Sequence, residues 1–193
     1  MKSPADLRGA TFHPATPDRW PDLERLFGSR GACGGCWCMA WRKIRRDFER
    51  DKGSVNRRDL ERLIADGPPP GILAYVGADA VGWCAVAPRS QYVRLASSRV
   101  LKPVDDAPVW SVSCLFVARP FRRHGLSAAL LGAAVAFVKQ QGGSIVEGYP
   151  VATKQSLPDA FVWTGLPGSF RAAGFKQVEG GSANRPIFRY AIS

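Results

Sequence analysis

A short basic segment in the middle of the chain combines residue types that hold phosphate groups. Arg122, Arg123 and His124 precede Gly125, and an apolar pattern with helical spacing follows at once. The first N–H groups of a helix lack partners within the helix and lie at the positive end of its dipole, so they attract anions. Glycine lets the backbone approach a ligand without a Cβ atom in the way. We therefore expect a phosphate-binding turn at residues 122–127.

A second group of residues could move protons. Glu147 and Tyr149 are two residues apart in a predicted strand at 144–149, so they share one face of it. If that face borders a ligand, Glu147 could act as a base and Tyr149 as an acid. Otherwise, Glu147 is solvated and Tyr149 packs in the core. On another apolar strand, Ser111 and Ser113 could orient water or donate a proton to a leaving group.

The segment 31–41 has the most unusual composition in the chain. Three thiols lie close together in it: Cys33, Cys36 and Cys38. Zinc accepts such ligands, but no second Cys or His pair completes a set of four, and we expect no metal. The larger side chains of the segment are Trp37, Met39 and Trp41. They either line a ligand pocket, where the rings could hold a cation by cation–π contact, or seal the core.

Charge and hydropathy limit the classes of function. The 193-residue chain has a formal net charge of +11, which attracts anions such as a polyphosphate ligand or an acidic substrate. Nucleic acid is a weaker alternative, because no aromatic–basic motif of a known binding module occurs. No apolar run is long enough to span a membrane, and residues 1–8 lack the apolar region of a secretory signal. We expect a cytoplasmic protein whose five cysteines are reduced.

The elements that position these groups are read from periodicity and turn signals. We predict strands at 8–12, 72–76, 81–86, 109–117, 144–149, 175–178 and 185–192. We predict helices at 16–27, 42–51, 55–65, 126–141 and 166–173. This order indicates a mixed α/β sandwich, and the length suits a single domain over 1–193 with 1–7 as a loose tail.

The segment around the basic turn resembles the signature of the GNAT superfamily of acyl-CoA-dependent N-acetyltransferases. A strand ending in Leu115-Phe116-Val117 is followed by a short loop and Arg122-Arg123-His124-Gly125-Leu126-Ser127. The second run matches the family pattern Arg/Gln-x-x-Gly-x-Gly/Ala without a gap, with Ser127 in place of Gly or Ala. A late helix ending in Gly174-Phe175 also fits the family.

The resemblance implies a mixed, mostly antiparallel sheet with helices on both faces. Its central parallel pair, strands 109–117 and 144–149, should splay apart. The pantetheine arm of acetyl-CoA would lie in that opening and pair with the backbone near Leu115 and Val117. The pyrophosphate would bind the amides of residues 123–127.

The resemblance also implies that the region between the first two helices forms a wall of the acceptor pocket. Trp37, Met39 and Trp41 would contribute to that wall and could hold the amine acceptor.

The implied activity is transfer of an acetyl group to an amine by direct attack on the thioester, with a backbone N–H near Val117 as the oxyanion donor. The family often has a Tyr acid four residues before the late Gly-Phe, where this chain has Phe170. Glu147, Tyr149 and Ser113 remain as catalytic candidates. An acyl-CoA-binding or sensing module with little turnover is the alternative. We favour a small-molecule acceptor over a protein amine; the oligomeric state is open, although dimers are frequent in the family.

Overall fold

The computed structural model describes residues 7–153 and 157–193. Seven strands form one sheet within these ranges: β1 (Thr11–Pro14), β2 (Gly71–Val76), β3 (Asp79–Pro88), β4 (Trp110–Val117), β5 (Ile145–Gly148), β6 (Lys176–Ser182) and β7 (Arg185–Ala191). Their order across the sheet is β1-β2-β3-β4-β5-β7-β6. Neighbouring strands are antiparallel except for the central pair β4 and β5, which is parallel. The predicted sheet type is therefore confirmed.

Helices cover both faces of the sheet. The α-helices are α1 (Trp20–Phe27), α2 (Arg45–Arg50), α3 (Ser54–Asp66), α4 (Val93–Ala96), α5 (Leu126–Gln140) and α6 (Pro167–Ala172). Short 3-10 helices span Pro17–Arg19, Arg89–Gln91, Arg119–Phe121 and Asp159–Phe161. The apolar side of α5 packs on one face of β2, β3 and β4. Helix α1 and the segment 31–41 pack on the opposite face, around the fully buried Trp83. No helix in the described ranges is long and apolar enough to cross a lipid bilayer.

Several element boundaries differ from the predicted ones. The first strand is at Thr11–Pro14 instead of 8–12, because a turn at Gly9, with φ +80°, brings the Ala10 N–H to the Leu7 carbonyl. The predicted helix at 42–51 shortens to α2, because the Arg42 and Lys43 N–H groups bond to the Met39 carbonyl in a turn and Ile44 is extended. Other predicted elements overlap their observed counterparts with ends shifted by a few residues.

β4 contains a bulge at Ser113. Ala85 of β3 pairs with Cys114 and Val86 pairs with Val112, so Ser113 is an extra residue in β4. Such a bulge bends a strand and redirects its side chains. The parallel pairing of β4 with β5 stops at Val112 and Gly148, and no later β4 residue pairs with β5 in the described sheet. The bulge thus lies where the two central strands begin to separate.

Candidate active site

A cavity of about 760 Å³ lies beside the part of β4 that β5 leaves unpaired. Its wall on the strand side is formed by three consecutive residues: Leu115, Phe116 and Val117. Five residues of the basic turn and the start of α5 line its other end: Arg122, Arg123, Gly125, Leu126 and Ser127. The structure therefore brings the strand end and the turn together around one space. His124 is exposed and lies outside the described wall.

The turn has the backbone geometry of an anion site. Gly125 is the N-cap of α5 with φ +85°, and no atom lies within 4 Å of the position where a Cβ would stand. Ala128 and Ala129 both donate their N–H groups to the Gly125 carbonyl, so the amides of the preceding residues have no acceptor within the helix. Arg123 also has a positive φ of 64°, which costs a non-glycine residue about 1 kcal/mol. A strained turn next to a cavity favours a binding role.

Arg122 links the turn to the strand. Its Nε donates to the Val117 carbonyl at 2.9 Å. This contact fixes the distance between the end of β4 and the beginning of α5. Arg122 therefore acts on the cavity both through its charge and by holding the two elements together.

Glu147 and Tyr149 are in direct contact with each other but do not line the cavity. Glu147 is fully buried and receives hydrogen bonds on both carboxylate oxygens, from Arg89 Nη1 at 3.0 Å and from Arg189 Nε at 2.7 Å. The Tyr149 hydroxyl donates to Glu147 Oε1 at 2.5 Å and lies 2.9 Å from the Ser111 hydroxyl. Burial raises the pKa of Tyr149 well above its usual range. The described cavity wall includes neither residue.

Ser113 lies at the narrow end of the opening, as the bulged residue of β4. It is 1% exposed, and its Oγ has no hydrogen-bond partner among the described residues. A hydroxyl in that state can donate or accept a proton without first breaking another bond. Like Glu147 and Tyr149, it is not part of the described cavity wall.

The three large side chains of the segment 31–41 are buried in the core. The Trp37 ring packs 5.9 Å from that of Trp20, and the Trp41 ring lies 5.3 Å from that of Tyr149. Met39 is 7% exposed and belongs to the same core as Trp37. The described cavity wall contains none of these three side chains and takes two smaller ones from this segment, Ala32 and Cys33. The glycines next to Ala32 and Cys33 predict a tight loop, but they do not predict that this loop contacts the cavity.

The segment 157–166 forms the far side of the cavity. The Leu115 N–H donates to the Trp163 carbonyl at 2.6 Å. The indole of Trp163 meets Trp41 edge to face, with ring centroids 5.8 Å apart. This segment has no strong periodicity and pairs with β4 through its backbone, so residue types gave no signal for it.

The buried cysteines have the properties of structural thiols. Cys38 Sγ lies 3.3 Å from Cys114 Sγ and accepts a hydrogen bond from Trp83 Nε1 at 3.1 Å. Burial raises the pKa of Cys38 well above its usual range and that of Cys36 to about 11. Such thiols are protonated at neutral pH and are poor nucleophiles. Across residues 7–153 and 157–193, no three His, Cys, Asp or Glu side chains come together as a metal site requires.

Sequence and structure comparisons identify the class of protein. Residues 37–151, more than half of the chain, match the acetyltransferase (GNAT) family. The chain belongs to this family, whose members transfer acetyl groups from acetyl-CoA. Among curated protein sequences, none matches this chain.

Solved structures share the fold at low sequence identity. A GNAT acetyltransferase from Streptococcus agalactiae aligns with a TM-score of 0.58 at 14% identity, over 96% of this chain and 97% of that one. A polyamine N-acetyltransferase from Drosophila melanogaster that forms N-acetylagmatine aligns with a TM-score of 0.57 at 9% identity, over 95% and 100%. A GNAT acetyltransferase from Listeria monocytogenes gives 0.56 at 12% identity, over 95% of both chains. At these identities the likeness concerns the fold alone.

Proposed function

We propose that this protein is an N-acetyltransferase that transfers an acetyl group from acetyl-CoA to a small-molecule amine. The observation that carries the proposal is one continuous cavity between the unpaired end of β4 and the N-terminal turn of α5. Its volume of about 760 Å³ is in the range of small-molecule sites. We also propose that the described residues form a single domain, since their one sheet extends from Thr11 to Ala191.

The basic turn and β4 bind different parts of acetyl-CoA. The pyrophosphate binds at the start of α5, where backbone amides of residues 123–127 and the charges of Arg122 and Arg123 attract it. From there the pantetheine arm runs along β4 towards Val112. The thioester then lies at the narrow end of the opening, near Ser113 and Leu115.

The arm and the protein compete for one backbone group. The Leu115 N–H, which the arm needs, donates to the Trp163 carbonyl in this structure. Binding therefore exchanges one hydrogen bond for another and displaces the segment 157–166 from β4. An exchange of this kind has a small net cost, because a new partner replaces the old one.

The transfer step requires a neutral amine, an oxyanion donor and a proton for the departing thiolate. A backbone N–H of β4 next to the thioester stabilises the oxyanion. The Ser113 hydroxyl is the donor closest to the narrow end and protonates the thiolate. Glu147 and Tyr149 remain the sequence-based candidates for base and acid. Their saturated hydrogen bonds support a role in positioning β5.

A second function, an acyl-CoA-binding module with little turnover, is favoured by one observation. Phe170 is fully buried, and its ring packs 5.2 Å from that of Phe175 and 5.8 Å from that of Phe188. It cannot supply a proton at the position where family members often have a tyrosine. A protein that binds acetyl-CoA and releases no free CoA with any amine would have this second function.

The test uses acetyl-CoA labelled in the acetyl group, the purified protein and a cell extract separated into small molecules and macromolecules. Label in a small molecule is expected, and the product then identifies the acceptor. Label in protein would show that the acceptor is a protein amine. Binding of acetyl-CoA without transfer would support the sensing module, and absence of binding would contradict both functions.

A further inference from the structure

Unpartnered buried polar atoms concentrate at one place in the molecule. Most buried polar groups in proteins have a hydrogen-bond partner. Among the described residues, four buried side-chain polar atoms lack one: Arg42 Nη2, Asn56 Oδ1, Tyr92 OH and Ser113 Oγ. Three of these atoms are grouped. The Arg42 guanidinium carbon lies 4.8 Å from the centre of the Tyr92 ring, and Ser113 is near enough to favour the Tyr92 phenolate.

The group borders the narrow end of the opening between β4 and β5. Ser113 is the bulged residue of β4, one position beyond its last pair with β5. Tyr92 follows the 3-10 helix Arg89–Gln91, where its N–H bonds to the Arg89 carbonyl at 3.0 Å. Arg42 is held by one arm, with Nη1 donating to Gln91 Oε1 at 2.9 Å. The three side chains are thus fixed from different elements, and each keeps a polar atom available.

Tyr92 differs from other buried tyrosines of the protein in this respect. The Tyr149 hydroxyl is bonded to Glu147, and the Tyr75 hydroxyl donates to Asp22 at 2.7 Å. Tyr92 is fully buried, and its hydroxyl has no partner in the described part of the chain. Burial raises the pKa of the Tyr92 phenol, and the nearby charge of Arg42 opposes the rise. The Tyr92 phenol is therefore protonated in the resting protein. The adjacent Arg42 guanidinium can stabilise the phenolate that forms when the proton leaves.

Resting on the function proposed above, we propose that Tyr92 supplies the proton for the CoA thiolate through the hydroxyl of Ser113, with Arg42 stabilising the phenolate. This arrangement takes the place of the acid that Phe170 cannot provide. Once the pantetheine arm has displaced the segment 157–166 from β4, Ser113 contacts the leaving group, and Tyr92 and Arg42 act through Ser113 as positioning residues.

The step is balanced without another reactant. The amine nitrogen attacks the thioester carbon, the C–N bond forms, and the C–S bond breaks with its electron pair on sulfur. The Ser113 proton moves to sulfur, and the Tyr92 proton moves to the Ser113 oxygen. The acceptor nitrogen, now in the amide, loses its proton, which returns to the Tyr92 phenolate. The products are the amide and free CoA.

The experiment compares Tyr92→Phe, Ser113→Ala and the double variant with the natural protein. The probe is acetyl-CoA at saturation with the small-molecule fraction of a cell extract, and the readout is the initial rate of CoA release. Each single variant should lose about 100-fold in rate, as expected for loss of a general acid. The double variant should lose little more, because residues of one unit are not additive. The affinity for acetyl-CoA should not change in any variant.

Thermal unfolding separates this role from a structural one. Tyr92→Phe removes a buried hydroxyl without a partner, so its Tm should equal or exceed that of the natural protein. A structural role would instead lower the Tm together with the rate. Arg42→Lys should retain more rate than Arg42→Met, because it keeps the charge.

Tyr75→Phe is the matched control, since it also removes one phenol hydroxyl from a buried ring, and its rate should match the natural protein. An unchanged rate in Tyr92→Phe, or defects that multiply in the double variant, would overturn the proton path alone. A natural protein that binds acetyl-CoA but releases no CoA would contradict the proposed function and, with it, the proton path.

Discussion

At the scale of single residues, the site depends on backbone conformations and on which polar groups are left available. Gly125 adopts a left-handed conformation at the start of α5, and Arg123 adopts one two residues earlier. Glu147, by contrast, has both oxygens occupied by guanidinium groups. The same residue types can therefore bind, position or react, depending on the partners that the fold gives them.

Gly125→Ala tests the turn. Alanine at φ +85° is strained by about 1 kcal/mol, and its methyl group stands in the open space that we assign to the pyrophosphate. We expect stability to fall by about this amount and the affinity for acetyl-CoA to fall at least about tenfold, the equivalent of 1.4 kcal/mol. Calorimetric titration and thermal unfolding measure the two effects.

Gly132→Ala is its control in the same helix, with ordinary φ and no neighbour within 4 Å of the new Cβ. It should raise stability by about 0.5–1 kcal/mol and leave the affinity unchanged. Equal affinities in both variants would show that the turn does not hold the co-substrate.

Glu147→Gln distinguishes positioning from catalysis. The change leaves Arg89 and Arg189 facing a neutral amide in a buried place, so we expect the free energy of unfolding to fall by about 3 kcal/mol. A denaturant titration measures this loss. A rate loss without a stability loss would instead support Glu147 as the base.

At the scale of elements, the opening between β4 and β5 is formed by a change in pairing. β4 pairs with β5 over three residues and then keeps only β3 as a neighbouring strand, and the segment 157–166 supplies a substitute partner at Leu115. In this structure the segment 157–166 therefore occupies the place beside Leu115 that we assign to the ligand. The entry of acetyl-CoA therefore depends on this segment, which is distant from β4 in the chain.

Acetyl-CoA should move the segment 157–166. If the pantetheine arm takes the Leu115 N–H, the contact between Trp163 and Trp41 changes, and so should the intrinsic fluorescence. Trp163→Phe should lose most of that change while acetyl-CoA still binds. Trp20→Phe, which changes a ring that packs on Trp37, should keep it. The same fluorescence change in both variants would exclude this displacement.

Asp51, between α2 and α3, predicts that the fold loses stability in acid. Hydrogen bonds from Arg50 and Lys43 lower the pKa of Asp51 to about 2. A carboxyl whose pKa is lowered by folding stabilises the fold above its unfolded pKa of 3.8, and the contribution disappears as the pH falls towards 2. Asp51→Asn should therefore lower the Tm at pH 7, and the difference from the natural protein should shrink below pH 4.

Asp66→Asn, an exposed change at the end of α3, is the control and should follow the natural protein at each pH. A difference between Asp51→Asn and the natural protein that stays constant from pH 7 to pH 2 would contradict the assignment of this contribution to Asp51.

At the scale of the whole molecule, the net charge of +11 acts on ligands before they make contact. CoA carries several negative charges, and a positive field raises the rate of association. The association rate constant should fall as salt rises from 0.01 to 0.15 M, because the screening length shortens from about 30 to about 8 Å. The dissociation rate constant should change much less. Stopped-flow fluorescence with acetyl-CoA measures both rate constants. An association rate constant that does not depend on salt would show that the net charge does not accelerate binding.

The sequence determined the features that depend on neighbours along the chain. The strand 109–117, the turn 122–127 and the helix after it were predicted from spacing, because a glycine in a left-handed turn and the apolar side of a helix are local properties. The family resemblance then gave the sheet type, which the structure confirms.

The tertiary structure decided which distant residues meet. Trp37, Met39 and Trp41 have the composition of a ligand wall but pack into the core, because residues distant in the chain, such as Trp20 beside Trp37 and Tyr149 beside Trp41, cover them. The contact of Trp163 with Leu115 joins residues that are 48 positions apart and uses backbone atoms, which every residue has. Local patterns carry no information about such contacts, because side-chain packing and pairing across the whole sheet create them.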